Sequence, residues 1–183
     1  MAVVQRRARS QEHASWLLEQ LRAHEGPLLR YARRLLPGDE ERARDVVQDT
    51  FLKLCAEPRE KVEGHAREWL FRVCRNRAFD VRKKEARMTT TEEVGAKVAP
   101  EPGPAATTEG KETRSRLLQL VDSLPEKQRE VVLLKFQDGL SYKEMARITQ
   151  QSVGNVGTLL HTAIKTLRQR LEAQDARPDL AIG

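Results

Sequence analysis

The 183-residue sequence is poor in aromatic side chains, which make up 4% of it, and holds two cysteines. Cys55 and Cys74 fit neither a disulfide framework nor a zinc-ligand spacing, so a soluble chain in a reducing, cytoplasmic setting is expected. No apolar run approaches the roughly 20 residues of a membrane-spanning helix, which excludes membrane insertion by such a helix. Residues 1–20 carry basic side chains but no apolar stretch before Trp16, so no signal peptide is expected. Period-two alternation is sustained nowhere, and strands are not expected. The four histidines, His13, His24, His65 and His161, lie singly. Neither cysteine stands at a ligand or triad spacing from one of them, and no glycine-rich phosphate loop follows a strand. The sequence therefore offers no catalytic residue, no metal site and no cofactor site. Asp39-Glu40-Glu41 could hold a metal, but such a cluster at a helix start reads first as a dipole-favourable cap.

What is present is charge. Lys and Arg number 33 against 27 Asp and Glu, a net +6, with 39% apolar residues to fill small helical cores. A basic balance suggests an acidic partner, although net charge alone does not specify nucleic acid. Residues 1–87 hold 20 bases and 14 acids, residues 88–112 hold 2 and 5, and residues 113–183 hold 11 and 8. The middle stretch has no aromatic residue, three prolines, three glycines and five threonines. It cannot bury enough apolar surface to offset its ordering entropy. The expected organisation is all-α: two small helical domains, 1–87 and 113–183, joined by a flexible acidic linker over 88–112.

Helical periodicity places the elements. A first helix is expected over Gln11 to Ala23, with Trp16, Leu17, Leu18 and Leu21. Gly26-Pro27 then opens a second, carrying Leu28, Leu29, Ala32, Leu35 and Leu36. Asp39 caps a third, whose Val47, Phe51 and Leu54 form one buried stripe. A polar loop over Glu57 to Gly64 precedes a fourth helix, His65 to Arg87, with a stripe of Leu70, Val73, Arg77 and Val81. In the second domain, a helix over Arg114 to Ser123 is broken at Leu124-Pro125. The next packs Val131, Val132, Leu134, Phe136 and Leu140 inward and ends at Gly139. Ser141 and Glu144 form a capping box for a short helix, Tyr142 to Ile148. After a turn at Thr149-Gln150-Gln151, Ser152 caps a last helix from Val153 to about Ala173. Short helix, tight turn and longer helix is the pattern of a helix-turn-helix.

Two surfaces carry chemistry. The fourth helix sets eight bases against three acids. Arg72, Arg75, Lys83 and Lys84 are interleaved there with Trp69, Phe71 and Phe79. Cations neutralise phosphates, and flat rings stack on unpaired bases. The pattern suits an opened duplex, although a solvated basic helix with its aromatics in the core accounts for the composition too. The third helix is acidic, and Asp45, Gln48 and Asp49 can share a polar face. That face is either ordinary solvated surface or a dock for a basic protein partner.

Four strings resemble those of the extracytoplasmic-function (ECF) group of bacterial RNA polymerase sigma factors. They are Arg44-Asp45-Val46-Val47-Gln48-Asp49-Thr50-Phe51, Trp69-Leu70-Phe71-Arg72-Val73-Cys74-Arg75-Asn76, Leu124-Pro125 with Gln128-Arg129-Glu130-Val131, and Gly139-Leu140-Ser141-Tyr142-Lys143-Glu144-Met145-Ala146. Leu35 to Arg87 resembles sigma region 2, and Leu117 to Leu171 resembles region 4. The resemblance implies that Asp45, Gln48 and Asp49 bind the β′ clamp of core RNA polymerase. It implies that Trp69, Arg72, Arg75, Asn76, Lys83 and Lys84 bind the −10 promoter element, with a flipped base held by Asn76 and the loop Pro58 to Gly64. Region 4 would bind the −35 element as duplex and contact the β flap. An anti-sigma factor is a further partner the resemblance admits. About ten residues follow region 4, so no appended sensing domain is expected.

The recognition helix departs from the family. Gly157, Thr162 and Ile164 stand where cations are common, and Gln150 and Gln151 where a glycine and an apolar residue are usual. Bidentate arginine readout of guanine is largely lost. Ser152, Asn155, Thr158, His161 and Lys165 remain as −35 candidates, and Leu159-Leu160 is expected in the core. The rival reading is a helix-turn-helix regulator that is not a sigma factor, which leaves the 45–51 and 69–76 blocks without a role. A protein-only helical adaptor leaves the basic fourth helix without one.

Overall fold

The computed structural model describes residues 2–88 and 116–175, and every described element is helical. The linker expected over 88–112 lies, Met88 apart, outside the described residues. The chain divides into two compact units, Met1–Pro100 and Glu101–Gly183, and the division falls within that stretch.

The first unit is built on α1 (Ala2–Leu35), α2 (Glu40–Ala56) and α4 (Ala66–Met88), each packed on the other two. The expected break at Gly26-Pro27 is absent: α1 runs through Pro27. A mid-helix proline removes one backbone hydrogen bond and costs about 3 kcal/mol. Beyond it Leu28, Tyr31, Ala32 and Leu35, spaced i, i+3, i+4 and i+7, are all buried. Burying one large apolar side chain contributes roughly 1.5–3 kcal/mol, so Leu28, Tyr31 and Leu35 in register outweigh the proline.

Asp39 caps α2 as expected, its carboxylate accepting from the Arg42 amide at 2.9 Å. Across the same turn Arg33 binds Glu40, and this hydrogen bond holds the Glu40 carboxyl below its ordinary pKa. The face of α2 that goes inward is Ala43, Val46, Val47, Thr50 and Leu54. Phe51 is only half-buried. The expected loop over Glu57 to Gly64 contains a helical turn, α3 (Arg59–Val62), and a 3-10 turn, Glu63–His65, pinned by the buried Val62. On α4 the buried stripe is Ala66, Leu70, Phe71, Cys74 and Ala78. Val73, Arg77 and Val81, expected inward, are half-buried. The stripe turns toward Phe71 because that ring meets Tyr31 of α1, with centroids 5.3 Å apart. Burial pushes the Cys74 thiol up to about 12, a rise that a hydrogen bond with Thr50 partly offsets.

The second unit comprises α5 (116–122), α6 (Glu126–Phe136), α7 (Tyr142–Thr149) and α8 (Val153–Asp175). Leu120, Val121 and Leu124 are buried ahead of α6, and Val131, Val132, Leu134 and Leu140 are buried on and after it. Phe136, expected inward, is 67% exposed. The chain leaves α6 there, and Gly139, at φ +63°, turns it so that the Leu140 amide reaches the Leu134 carbonyl at 3.0 Å. Leu140 therefore fills the core position in place of Phe136. Leu160 is buried as expected, whereas Leu159 is half-buried.

Candidate polymerase and nucleic-acid interfaces

On α2 the buried side chains define the opposite, outward face. At 100° per residue, Glu41, Asp45, Gln48 and Leu52 fall along it. Asp45 and Gln48 are exposed. Asp49 lies at the edge of this face and is already engaged: Arg77 of α4 donates to its carboxylate at 2.7 Å. Leu52 is 59% exposed, one turn beyond Gln48 and Asp49. An exposed apolar residue beside polar groups is the kind of composition found in an interface. Sequence reasoning did not single out Leu52, although its spacing of seven from Asp45 and four from Gln48 was available.

On α4 the same geometry places Trp69, Arg72, Asn76 and Lys83 on one face, directly opposite the buried stripe. Asn76, Lys83 and Lys84 are exposed, and Trp69 and Arg72 are half-buried. Arg75 belongs to a neighbouring flank. Its guanidinium lies over the Phe79 ring at 4.5 Å, with Arg82 over the same ring at 5.3 Å. Phe79 thus carries a cation-bearing ledge beside the outward face. Phe71 is core and takes no part in any surface. The arginine that interrupted the expected apolar stripe, Arg77, is the partner of Asp49. This ion pair, 28 residues apart in sequence, could not have been read from local spacing.

The turn that precedes α4 is held from an unexpected direction. Trp16 of α1 is 7% exposed, stacks with His13 at 5.8 Å, and lies beneath the Arg59 guanidinium at 5.6 Å. Arg59 also pairs with Glu63 at 2.7 Å. Residues 58–65 are therefore anchored at both ends, by Val62 in the core and by Arg59 on Trp16.

The helix-turn-helix of the second unit is set by its caps. The Ser141 hydroxyl accepts from the Glu144 amide at 3.3 Å, while the Ser141 amide donates to the Glu144 carboxylate at 2.7 Å. Gln150 ends α7 in the left-handed conformation, φ 57°, and the Gln151 amide returns to the Ala146 carbonyl at 2.9 Å. Ser152 caps α8 by accepting from the Asn155 amide at 3.1 Å, so its hydroxyl is occupied in holding the helix start. Val156, Leu160 and Ala163 face inward. Asn155, Thr158, His161 and Lys165 face outward and are all exposed. The Thr158 hydroxyl donates back to the Gly154 carbonyl at 3.1 Å, and the Asn155 amide side chain binds Gln151.

Among the described residues no three His, Cys, Asp or Glu side chains gather as a metal site, and no helix is long and apolar enough to cross a membrane. The Asp39-Glu40 start of α2 is taken up by Arg33, Arg42 and Arg44.

Comparison with known proteins agrees with both units. The family described as Sigma-70 region 2 matches residues 21–88, and Sigma-70, region 4 matches residues 114–167. The RNA polymerase sigma-E factor of Streptomyces avermitilis is 31% identical over 158 residues, covering 86% of each chain. The ECF RNA polymerase sigma factor EcfG of Rhodopseudomonas palustris is 33% identical over 159 residues, covering 84% of this chain and 86% of its own. Among solved structures, the sigma factor RpoE of Bartonella quintana, crystallised with the anti-sigma factor NepR, shares the fold. Its TM-score is 0.68 at 24% identity, over 88% of this chain and 98% of that one. CnrH, solved with the cytosolic domain of CnrY, aligns with a TM-score of 0.54 at 22% identity, over 86% and 88%. With both matched regions in one chain, in this order, and relatives above 30% identity along most of its length, the chain belongs to the ECF group of RNA polymerase sigma factors.

Proposed function

We propose that this chain binds core RNA polymerase and directs promoter-specific initiation, with the work divided between its units. Residues 1–87 engage the polymerase β′ clamp through Asp45, Gln48 and Asp49 and open the −10 element through Trp69, Arg72, Arg75, Asn76, Lys83 and Lys84. Residues 113–183 read the −35 duplex through α8, chiefly by Asn155, Thr158, His161 and Lys165, and contact the β flap. Ser152 serves there by capping α8. Residues 88–112 act as the tether. The chain works in the cytoplasm as an initiation factor rather than a catalyst, and an anti-sigma protein is its natural antagonist, as NepR is the partner of RpoE in the solved complex.

The observation that carries this reading is the pair of opposed faces in the first unit. An acidic-amide face on α2 suits a protein with basic side chains and repels DNA. The outward face of α4 combines an indole, an amide and cations, the groups that hold a single strand and a displaced base. A helix-turn-helix regulator that is not a sigma factor has no use for either face. The test is reconstitution: core polymerase with the purified chain should start at defined promoters where core alone does not. Initiation no different from core alone overturns the reading.

A further inference from the structure

The recognition helix holds a device that the cation-poor sequence conceals. Asn155 stands in the first turn of α8, the part of such a helix whose side chains meet base edges in the major groove. Its backbone is fixed by the Ser152 cap. Its side-chain Nδ2 donates one hydrogen to the Oε1 of Gln151. Gln151 is half-buried, and its own backbone is held by the bond from its amide to Ala146 behind the left-handed Gln150. The orientation of the Asn155 amide is thus set before DNA arrives. The second Nδ2 hydrogen and the Oδ1 acceptor of this exposed side chain are left for a partner. That donor–acceptor pair matches one base edge: adenine offers N7 as acceptor and N6–H as donor in the major groove. Guanine would set its O6 acceptor against Oδ1. Between Val153 and Lys165 there is no arginine to prefer guanine instead.

We infer that Asn155, held by Gln151, selects an adenine in the −35 element, Asn155 touching the base and Gln151 acting as a positioning residue. This rests on the proposed reading that α8 binds the −35 duplex, and it names the base that the helix demands there.

The experiment selects promoters with reconstituted holoenzyme from a library randomised across the −40 to −1 region. It is followed by binding measurements on the selected promoter carrying 7-deazaadenine at the chosen position. Wild type should select adenine at one −35 position, and the N7 deletion should weaken its binding roughly ten-fold. Asn155→Ala should lose the adenine preference at that position alone, keep −10 selection, and be indifferent to 7-deazaadenine. Gln151→Ala should soften the same preference without abolishing it. Gln151→Glu, which keeps the acceptor for Asn155, should retain the preference while its charge weakens binding to all promoters alike. A wild-type −35 selection without adenine, or an Asn155→Ala protein that still prefers it, overturns the inference while −10-dependent initiation leaves the sigma reading standing. Failure of wild type to initiate with core polymerase overturns both.

Discussion

The two units meet nucleic acid with opposite chemistries, and each shows why composition alone misleads. The first unit is rich in cations, yet several of them serve the protein. Arg77 is bound to Asp49, Arg75 and Arg82 rest on Phe79, and Arg59 covers Trp16. Lys83 and Lys84 stand exposed. In the second unit the recognition face holds an asparagine, a threonine, a histidine and a single lysine, and its geometry is set by a capping box, a left-handed cap and a hydrogen bond between two side-chain amides. Cation number governs salt-dependent affinity, whereas pre-set hydrogen-bonding edges govern base choice. The first unit is therefore expected to dominate attraction and the second to contribute selectivity with little charge.

The largest expected effect tests whether the units are independent at all. Phe71→Ala should destabilise the first unit by about 3–5 kcal/mol, as for other buried aromatics. Calorimetry of the full chain should show one transition lowered and the other unmoved. Cys74 gives a second measure. With its thiol buried and pushed up to about 12, it should react with a thiol reagent only when the first unit opens, while exposed Cys55 reacts at once. Phe71→Ala should accelerate Cys74 labelling and leave Cys55 labelling unchanged. Movement of both transitions together would break the comparison at its root.

Next in size is Asn76→Ala. Loss of a direct base contact costs about 1–3 kcal/mol, so open-complex formation should fall roughly ten-fold or more and preference at one −10 position should relax. Discrimination at −35 should persist, and a shift at −35 instead would reverse the assigned roles. Replacing Lys83 and Lys84 together by alanine should flatten the slope of log affinity against log salt by about 1.4–1.8, near 0.7–0.9 for each phosphate neutralised. Lys165→Ala should change it by no more than about one such increment. Equal slopes for the two variants would remove the contrast in charge.

Smaller effects separate binding from folding. Asp45→Arg should weaken core-polymerase binding several-fold while costing under about 0.5 kcal/mol of stability, as for other exposed sites. Asp49→Ala should do less to core binding, because its carboxylate is held by Arg77. A half-exposed pair of this kind contributes about 0–1 kcal/mol to stability. If Asp49→Ala is the more damaging to core affinity, Arg77 positions Asp49 for the polymerase rather than occupying it. A small net change is expected of Gln150→Gly. A non-glycine residue in the left-handed region carries about 1–2 kcal/mol of backbone strain. Glycine's added freedom in the unfolded chain offsets about 0.4–1 kcal/mol of the relief, so the second transition should rise slightly and the first stay unmoved.

Much of this protein is determined locally and was legible without coordinates. Caps and turns depend on a few neighbouring residues, so Asp39, the Ser141–Glu144 box, Gly139 and Ser152 stand where expected. The resemblance of the 44–51, 69–76 and 139–146 strings led to the family that the comparisons show. What local sequence does not contain is the identity of the surface each helix packs against. Pro27 reads as a break until Leu28, Tyr31, Ala32 and Leu35 are seen buried beyond it. Phe136 reads as core until Leu140 is seen taking the interior position. Periodicity shows that a stripe exists, but its centre line lies a few tens of degrees away from Val73, toward Cys74 and Ala78, on the side where Phe71 meets Tyr31. The Asp49–Arg77 pair and the Trp16–Arg59 stack join residues far apart in the chain. Tertiary structure alone decides them, because the energy of a side chain's surroundings depends on which helices meet around it, and no residue encodes that by itself.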